Sequence, residues 1–244
     1  MKTENKFKMK ASLIVSIALF LLPLISNSQV TFTEIPTSIL GVSSSSIDFS
    51  DIDNDSVKEL LITGIGGSSW GNTVLYENDG SGTFTPISGT PFDFIGITEG
   101  YVVFGDVDND GDEDLLLAGD SMGQWTAVTR LYINDGGIFV HDTTTSIFAA
   151  ADPCIVFSDM DNDNDLDVLI SGANSWSNPR TSLYENIGGI FTEVPGTGLI
   201  DVNYPCIAVS DIDGDGYNDE IDLCEDTTPG ANFVNSSGCE FDLF

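Results

Sequence analysis

Four acidic stretches recur along the 244-residue chain at nearly constant spacing. They read FSDIDNDSVKELLITG from Phe49, FGDVDNDGDEDLLLAG from Phe104, FSDMDNDNDLDVLISG from Phe157 and VSDIDGDGYNDEIDLC from Val209. Their first aspartates, Asp51, Asp106, Asp159 and Asp211, are separated by 55, 53 and 52 residues. A period near 50 means that one supersecondary unit is repeated, and that each unit must bury its apolar face on a neighbour. This constrains the fold more than any bulk property of the chain.

Other features recur with the same period. Short apolar runs follow the acidic loops at Leu60–Ile62, Leu115–Leu117 and Val168–Ile170, and others precede them, as at Tyr101–Phe104 and Cys154–Phe157. Runs of this kind read as buried strands. Downstream lie TVLYENDGSGTFTPI (73–87), TRLYINDGGIFVHD (129–142) and TSLYENIGGIFTEV (181–194), each two β-rich runs joined by Asn-Asp-Gly or Gly-Gly. Each reads as a hairpin. Every repeat therefore supplies four strands, A to D, with the acidic loop joining A to B. The fold class expected is all-β: four-stranded antiparallel blades in a propeller-like array of about three and a half blades, short of the usual 4–8, which leaves open an incomplete ring, association of copies or a fragment of a longer product. The half comes from the two ends. VTFTEIPTSIL (30–40) matches IFTEVPGTGLI (190–200) and reads as a lone D strand, while Cys206–Val209 reads as a final A strand.

The spacing D-x-D-x-D suits a hard cation, because Ca²⁺ takes 6–8 oxygen ligands in irregular geometry whereas Mg²⁺ keeps its waters. Positions 1, 3, 5 and 9 offer side chains and position 7 a carbonyl. In the first loop these are Asp51, Asp53, Asp55, Val57 and Glu59. In the second they are Asp106, Asp108, Asp110, Asp112 and Asp114, and in the third Asp159, Asp161, Asp163, Asp165 and Asp167. Gly111 and Asn164 suit the curl at position 6 better than Ser56 does, and Lys58 adds a cation, so the first site is expected to be the weakest. These are not EF-hands, since position 12 is Ile62, Leu117 or Ile170 rather than a glutamate.

The phrases F-x-D-x-D-N-D and LYEN-x-G-x-F resemble the FG-GAP and VCBS calcium-binding repeats of integrin α-subunit propellers and secreted bacterial proteins. The resemblance spans residues 30–209 and implies Ca²⁺ on one face of a propeller, with roles in adhesion and ligand binding. Residues 211–239 resemble a thrombospondin type 3 repeat. That likeness implies a fourth cation held by Asp211, Asp213, Asp215, the Tyr217 carbonyl, Asp219 and Asp222, and a Cys224–Cys239 disulfide. Cys154 and Cys206 occupy equivalent A-strand places, and the sequence leaves open whether they pair or remain buried thiols.

The N-terminus reads as a secretory signal over residues 1–28. Lys2, Lys6, Lys8 and Lys10 precede the apolar stretch Ala11–Ile25, which Pro23 interrupts, and Ser26-Asn-Ser28 ends it. The expected organisation is a signal (1–28), three repeats (29–209) and the thrombospondin-like segment (210–244), in a secreted or cell-surface protein of a bacterial envelope. Without the signal only Lys58, Arg130 and Arg180 oppose 38 acidic residues, a net charge of −35. That charge excludes nucleic acid or an anionic membrane surface as a partner, and no membrane span is expected after cleavage.

Trp70, Trp125 and Trp176 also follow the period, between strands B and C. They read as blade packing, or as a stacking platform for sugars or protein anchors. His141 is the only histidine and no nucleophile motif appears, so no catalysis is expected. The function expected is a non-catalytic adhesion or ligand-binding module for a carbohydrate or protein, with self-association open. A structural spacer or a fragment of a larger envelope protein is the alternative, and a calcium-dependent glycan-acting enzyme a lesser one.

Overall fold

The computed structural model describes residues 34, 37–66, 71–93, 95–121, 126–173, 178–202 and 204–209. The chain divides into two compact units, Met1–Pro36 and Thr37–Phe244. All that follows concerns the second.

Twelve strands form three four-stranded antiparallel sheets, and no helix occurs among the described residues. The first blade holds β1 (Val42–Ser50), β2 (Glu59–Gly66), β3 (Gly71–Asn78) and β4 (Phe84–Pro86). The second holds β5 (Ile97–Gly105), β6 (Asp114–Ser121), β7 (Thr126–Asp135) and β8 (Ile138–His141). The third holds β9 (Ala151–Ser158), β10 (Asp167–Ala173), β11 (Pro179–Ile187) and β12 (Ile190–Glu193). In each sheet spatial order follows chain order, which is the meander of a propeller blade. The three sheets of the described residues do not close into a ring.

The registers repeat with the sequence. Phe49 pairs with Leu60, Phe104 with Leu115 and Phe157 with Val168. Strands β2, β6 and β10 are buried along almost their whole length. A strand covered on both faces reads as a continuous apolar run, which is why these three were visible in the sequence. The turns at Gly136-Gly137 and Gly188-Gly189 have φ of 57° and 88°, and 60° and 83°. Two successive left-handed residues make the type I′ turn that matches strand twist, and Gly-Gly supplies it without strain.

The cores lie between blades. One is built from Ile52, Leu61 and Leu75 of the first blade with Val102, Leu115, Leu117, Tyr132 and Phe139 of the second. Phe92, in the link between these blades, packs edge-on to Tyr132 and Phe139, with both ring centroids at 5.5 Å. The next core repeats the scheme, setting Val107, Leu116 and Leu131 against Ile155, Val168, Ile170, Tyr184 and Phe191.

One expectation needs correction: Cys206–Val209 forms no strand. The stretch that matches β12 falls on residues 31–34, of which only Glu34 is described, so the lone D strand lies outside the described residues. An A strand needs its own B strand to pair with, and no strand follows β12 among the described residues. Residues 30–33, 35 and 36, the signal segment 1–28, the three tryptophans and the segment 210–244 with Cys224 and Cys239 lie outside the described residues.

Candidate metal centre in the acidic loops

Each acidic loop curls through two residues with positive φ. At position 4 these are Asn54, Asn109 and Asn162, at 61°, 60° and 61°; at position 6 they are Ser56, Gly111 and Asn164, at 73°, 98° and 76°. Asparagine and glycine tolerate this region best, so Ser56 adopts it at the greatest cost. The first aspartate ties the curl together. Asp51, Asp106 and Asp159 each accept the N–H of the position 6 residue through Oδ2, at 2.9, 3.0 and 3.0 Å.

The curl brings three of the expected side chains together in every loop. Carboxylate oxygens of Asp51, Asp53 and Glu59 lie within 4.8 Å of one another, as do those of Asp106, Asp108 and Asp114, and of Asp159, Asp161 and Asp167. These are positions 1, 3 and 9. Position 5 does not join them. Asp55, Asp110 and Asp163 instead cap the loop, each accepting the N–H of position 7 through Oδ1 at 2.8–2.9 Å. The side chains of Asp112 and Asp165 turn away to accept the N–H groups of Gly136 and Gly188 at 2.7 and 2.6 Å. The fourth set, Asp211, Asp213, Asp215, Tyr217, Asp219 and Asp222, lies outside the described residues.

Position 9 anchors the cluster to the sheet. Asp114 accepts the N–H groups of Val107 and Asn134, and Asp167 those of Met160 and Asn186, all at 2.8–2.9 Å. Glu59 accepts one, from Ile52 at 3.2 Å. Burial pushes the Asp114 carboxyl up to about 7 and that of Asp167 to about 6, against the pull of these N–H groups and with a further push from the aspartates at positions 3 and 5. Burial also raises Glu59, and it raises Asp108 and Asp161 with help from Asp110 and Asp163. The Oδ1 atom of Asp51 is buried and makes no hydrogen bond. An all-oxygen donor set, raised carboxyls and an orphaned buried oxygen fit a hard divalent cation, whose charge would offset the repulsion.

The loops are also joined across blades, which spacing alone does not reveal. The Asn109 amide donates to Asp165 at 2.6 Å, and Asn54 donates to Asp112. The Asn134 amide reaches the Ile52 carbonyl at 2.9 Å, and the Asn186 amide the Val107 carbonyl at 2.7 Å. These two asparagines end the LYEN and LYIN phrases. Their recurrence was the signal; their partners, 82 and 79 residues away, were not. Both remaining cysteines are free thiols, Cys154 buried and Cys206 exposed, and Cys154 Sγ accepts the N–H of Ile207 at 3.1 Å.

The model of the FG-GAP-like repeat matches residues 51–117 and again 106–170. These segments are FG-GAP-like repeats. Each FG-GAP match runs from one acidic loop to the B strand of the next blade, so it spans a blade-to-blade junction rather than a single sheet. No curated protein matches the chain. One solved structure, a lectin from Agrocybe aegerita described as recognising non-reducing terminal N-acetylglucosamine, is similar at 17% identity and a TM-score of 0.42. The likeness covers 72% of this chain and 59% of the lectin. It is too loose to carry an argument about ligand.

Proposed function

We propose that this FG-GAP-like repeat protein is a calcium-dependent, non-catalytic binding module presented outside the cell, with a carbohydrate or a protein as its ligand. The observation that supports it is the threefold recurrence of one carboxylate cluster, in register, at the same corner of adjacent blades. Asp51, Asp53 and Glu59 would hold one ion, Asp106, Asp108 and Asp114 a second, and Asp159, Asp161 and Asp167 a third. The bound ions would supply the positive charge the chain lacks. The side chains themselves do the positioning: position 1 sets the curl, position 9 fixes the cluster to strands B and C, and the asparagines hold each loop against the next blade.

No acid–base role is assigned to these carboxylates. The same set recurs in each blade, whereas a catalytic pair serves one reaction centre. No described helix is long and apolar enough to cross a membrane, and presentation outside the cell rests on the N-terminal signal pattern.

The test is binding of the calcium-loaded full chain to a glycan array and to immobilised extracellular proteins, with and without chelator. The reading expects binding that chelation abolishes and that Asp108→Asn with Asp161→Asn weakens. Binding insensitive to both would overturn it. Binding to nothing in calcium would leave a structural spacer as the better description.

A further inference from the structure

Among the described residues the blade-to-blade interface occurs twice, and residues of both its halves recur once more, exposed, on the first and third blades. The leading half carries A-strand residues. Val102 on the second blade and Ile155 on the third are 2% and 1% exposed, each covered by the blade before. Ile47 occupies that register position on the first blade, as its pairing with Ile62 shows against Val102–Leu117 and Ile155–Ile170, and it is 54% exposed. Phe49 beside it is exposed as well, although its counterparts Phe104 and Phe157 pack into the inter-blade cores.

The trailing half carries the link that leaves each blade. The Thr73 hydroxyl donates to the Ile95 carbonyl at 2.8 Å, and the Thr181 hydroxyl donates to the Ile200 carbonyl at 2.9 Å, so Ile95 and Ile200 hold equivalent places. Ile95 is buried at 8% exposure under the second blade, whereas Ile200 is 61% exposed, with Val202 and Tyr204 exposed after it. The polar pattern is cut at the same place. Asn134 and Asn186 each donate to their own loop and to the preceding blade, at Ile52 and Val107. Among the described residues their counterpart Asn78 donates only to its own loop, at Lys58.

We infer that the leading face of the first blade, around Ile47, Phe49 and Asn78, docks the trailing face of the third blade of a second copy of this chain. The occupant follows from the interface itself. The surface that fits the leading face is the one the chain already uses twice, and a second copy presents it. Solitary apolar residues on a surface need no explanation, but two open patches that are the two halves of one buried interface do. A head-to-tail contact closes when its rotation closes. Two copies of the three described blades give a ring of six, inside the usual range of 4–8. The twofold axis then runs through the ring centre, and the Asn78 amide meets the Met160 carbonyl of the other copy, as Asn134 meets Ile52. This inference does not rest on the bound-ion reading, because none of these residues belongs to a carboxylate cluster.

The test is the mass of the full chain in solution, by sedimentation velocity and native mass spectrometry, at moderate salt to screen the acidic surface. A particle of two chains is expected. Ile47→Asp with Phe49→Asp disables the leading face, and Ile200→Asp with Val202→Asp disables the trailing face. Each double variant alone is expected to be monomeric with an unchanged far-ultraviolet circular dichroism spectrum. Mixed, they retain one intact junction and are expected to form a one-to-one pair, which misfolded variants would not do. A wild-type monomer, an open-ended polymer, or variants that dimerise as well as the wild type would overturn the proposal.

Discussion

The amide of Asn186, at the end of β11 on the third blade, donates to the backbone carbonyl of Val107 in the acidic loop of the second blade at 2.7 Å. The same side chain donates to Leu166 of its own loop and accepts the N–H of Gly189. One buried carboxamide thus fixes two loops and a turn. Asn186→Ala leaves the carbonyl of Val107 and the N–H of Gly189 without partners. The expected loss is about 1–3 kcal/mol, since unsatisfied buried groups cost that much. Urea unfolding reads it, as a lower midpoint at unchanged slope.

Asn109 separates two contributions to the same junction. Its φ of 60° is a left-handed conformation, and its amide reaches Asp165 on the next blade. Asn109→Gly keeps the conformation and deletes the hydrogen bond, so a loss of about 1 kcal/mol or less is expected for this exposed pair. Asn109→Ala deletes the bond and adds backbone strain, so roughly a further 1 kcal/mol is expected. Equal stabilities for the two variants would show that the loop curl stores no conformational preference.

Asp108 tests what the carboxylates cost without an ion. The residue is exposed as a whole, yet partial burial of its carboxyl, and after that the charges of Asp110 and Asp106, push it upward. Asp108→Asn removes one charge from the cluster. In chelator the variant is expected to melt at or slightly above the wild-type temperature. In calcium it is expected to gain less, because one site of three in the described loops is lost. At about 100 times the dissociation constant an independent site adds ~2.7 kcal/mol, and the shortfall in the variant measures it.

The pH dependence has a definite sign. Asp114 titrates at about 7 and Asp167 at about 6 in the folded chain, against an ordinary 3.8 when unfolded. Between these values the folded chain binds more protons than the unfolded one, so the stability of the ion-free protein falls as pH rises. In chelator the melting temperature is expected to climb on acidification from about pH 8 to about pH 5. In calcium the trend reverses, because protons compete with the ion for the same oxygens. Parallel curves in the two media would contradict the assignment of these carboxylates to a cation.

The sequence displayed whatever a single blade encodes. The apolar run Leu115–Leu117 marks a strand covered on both faces, Gly136-Gly137 marks its turn, and the aspartate spacing marks positions 1, 3 and 9. It did not display what depends on a neighbour. Asp112 supplies position 7 of its loop, yet its side chain turns to the N–H of Gly136 in the turn between β7 and β8. The role of Asn134 requires Ile52, which only the packing of blades brings near. Cys206–Val209 has the composition of an A strand but has no B strand to pair with among the described residues. Ile47 and Val102 hold the same register position, and they differ in exposure because a described blade packs before Val102 and none does before Ile47.

The most direct measurement is the metal content of the purified full chain by native mass spectrometry after equilibration in millimolar calcium, with folding followed on the same sample. The account predicts an ion for each of the three described carboxylate clusters, the one at Asp51, Asp53 and Glu59 being the first lost as calcium is lowered. A chain that carries no divalent ion under these conditions and is nonetheless fully folded would contradict it.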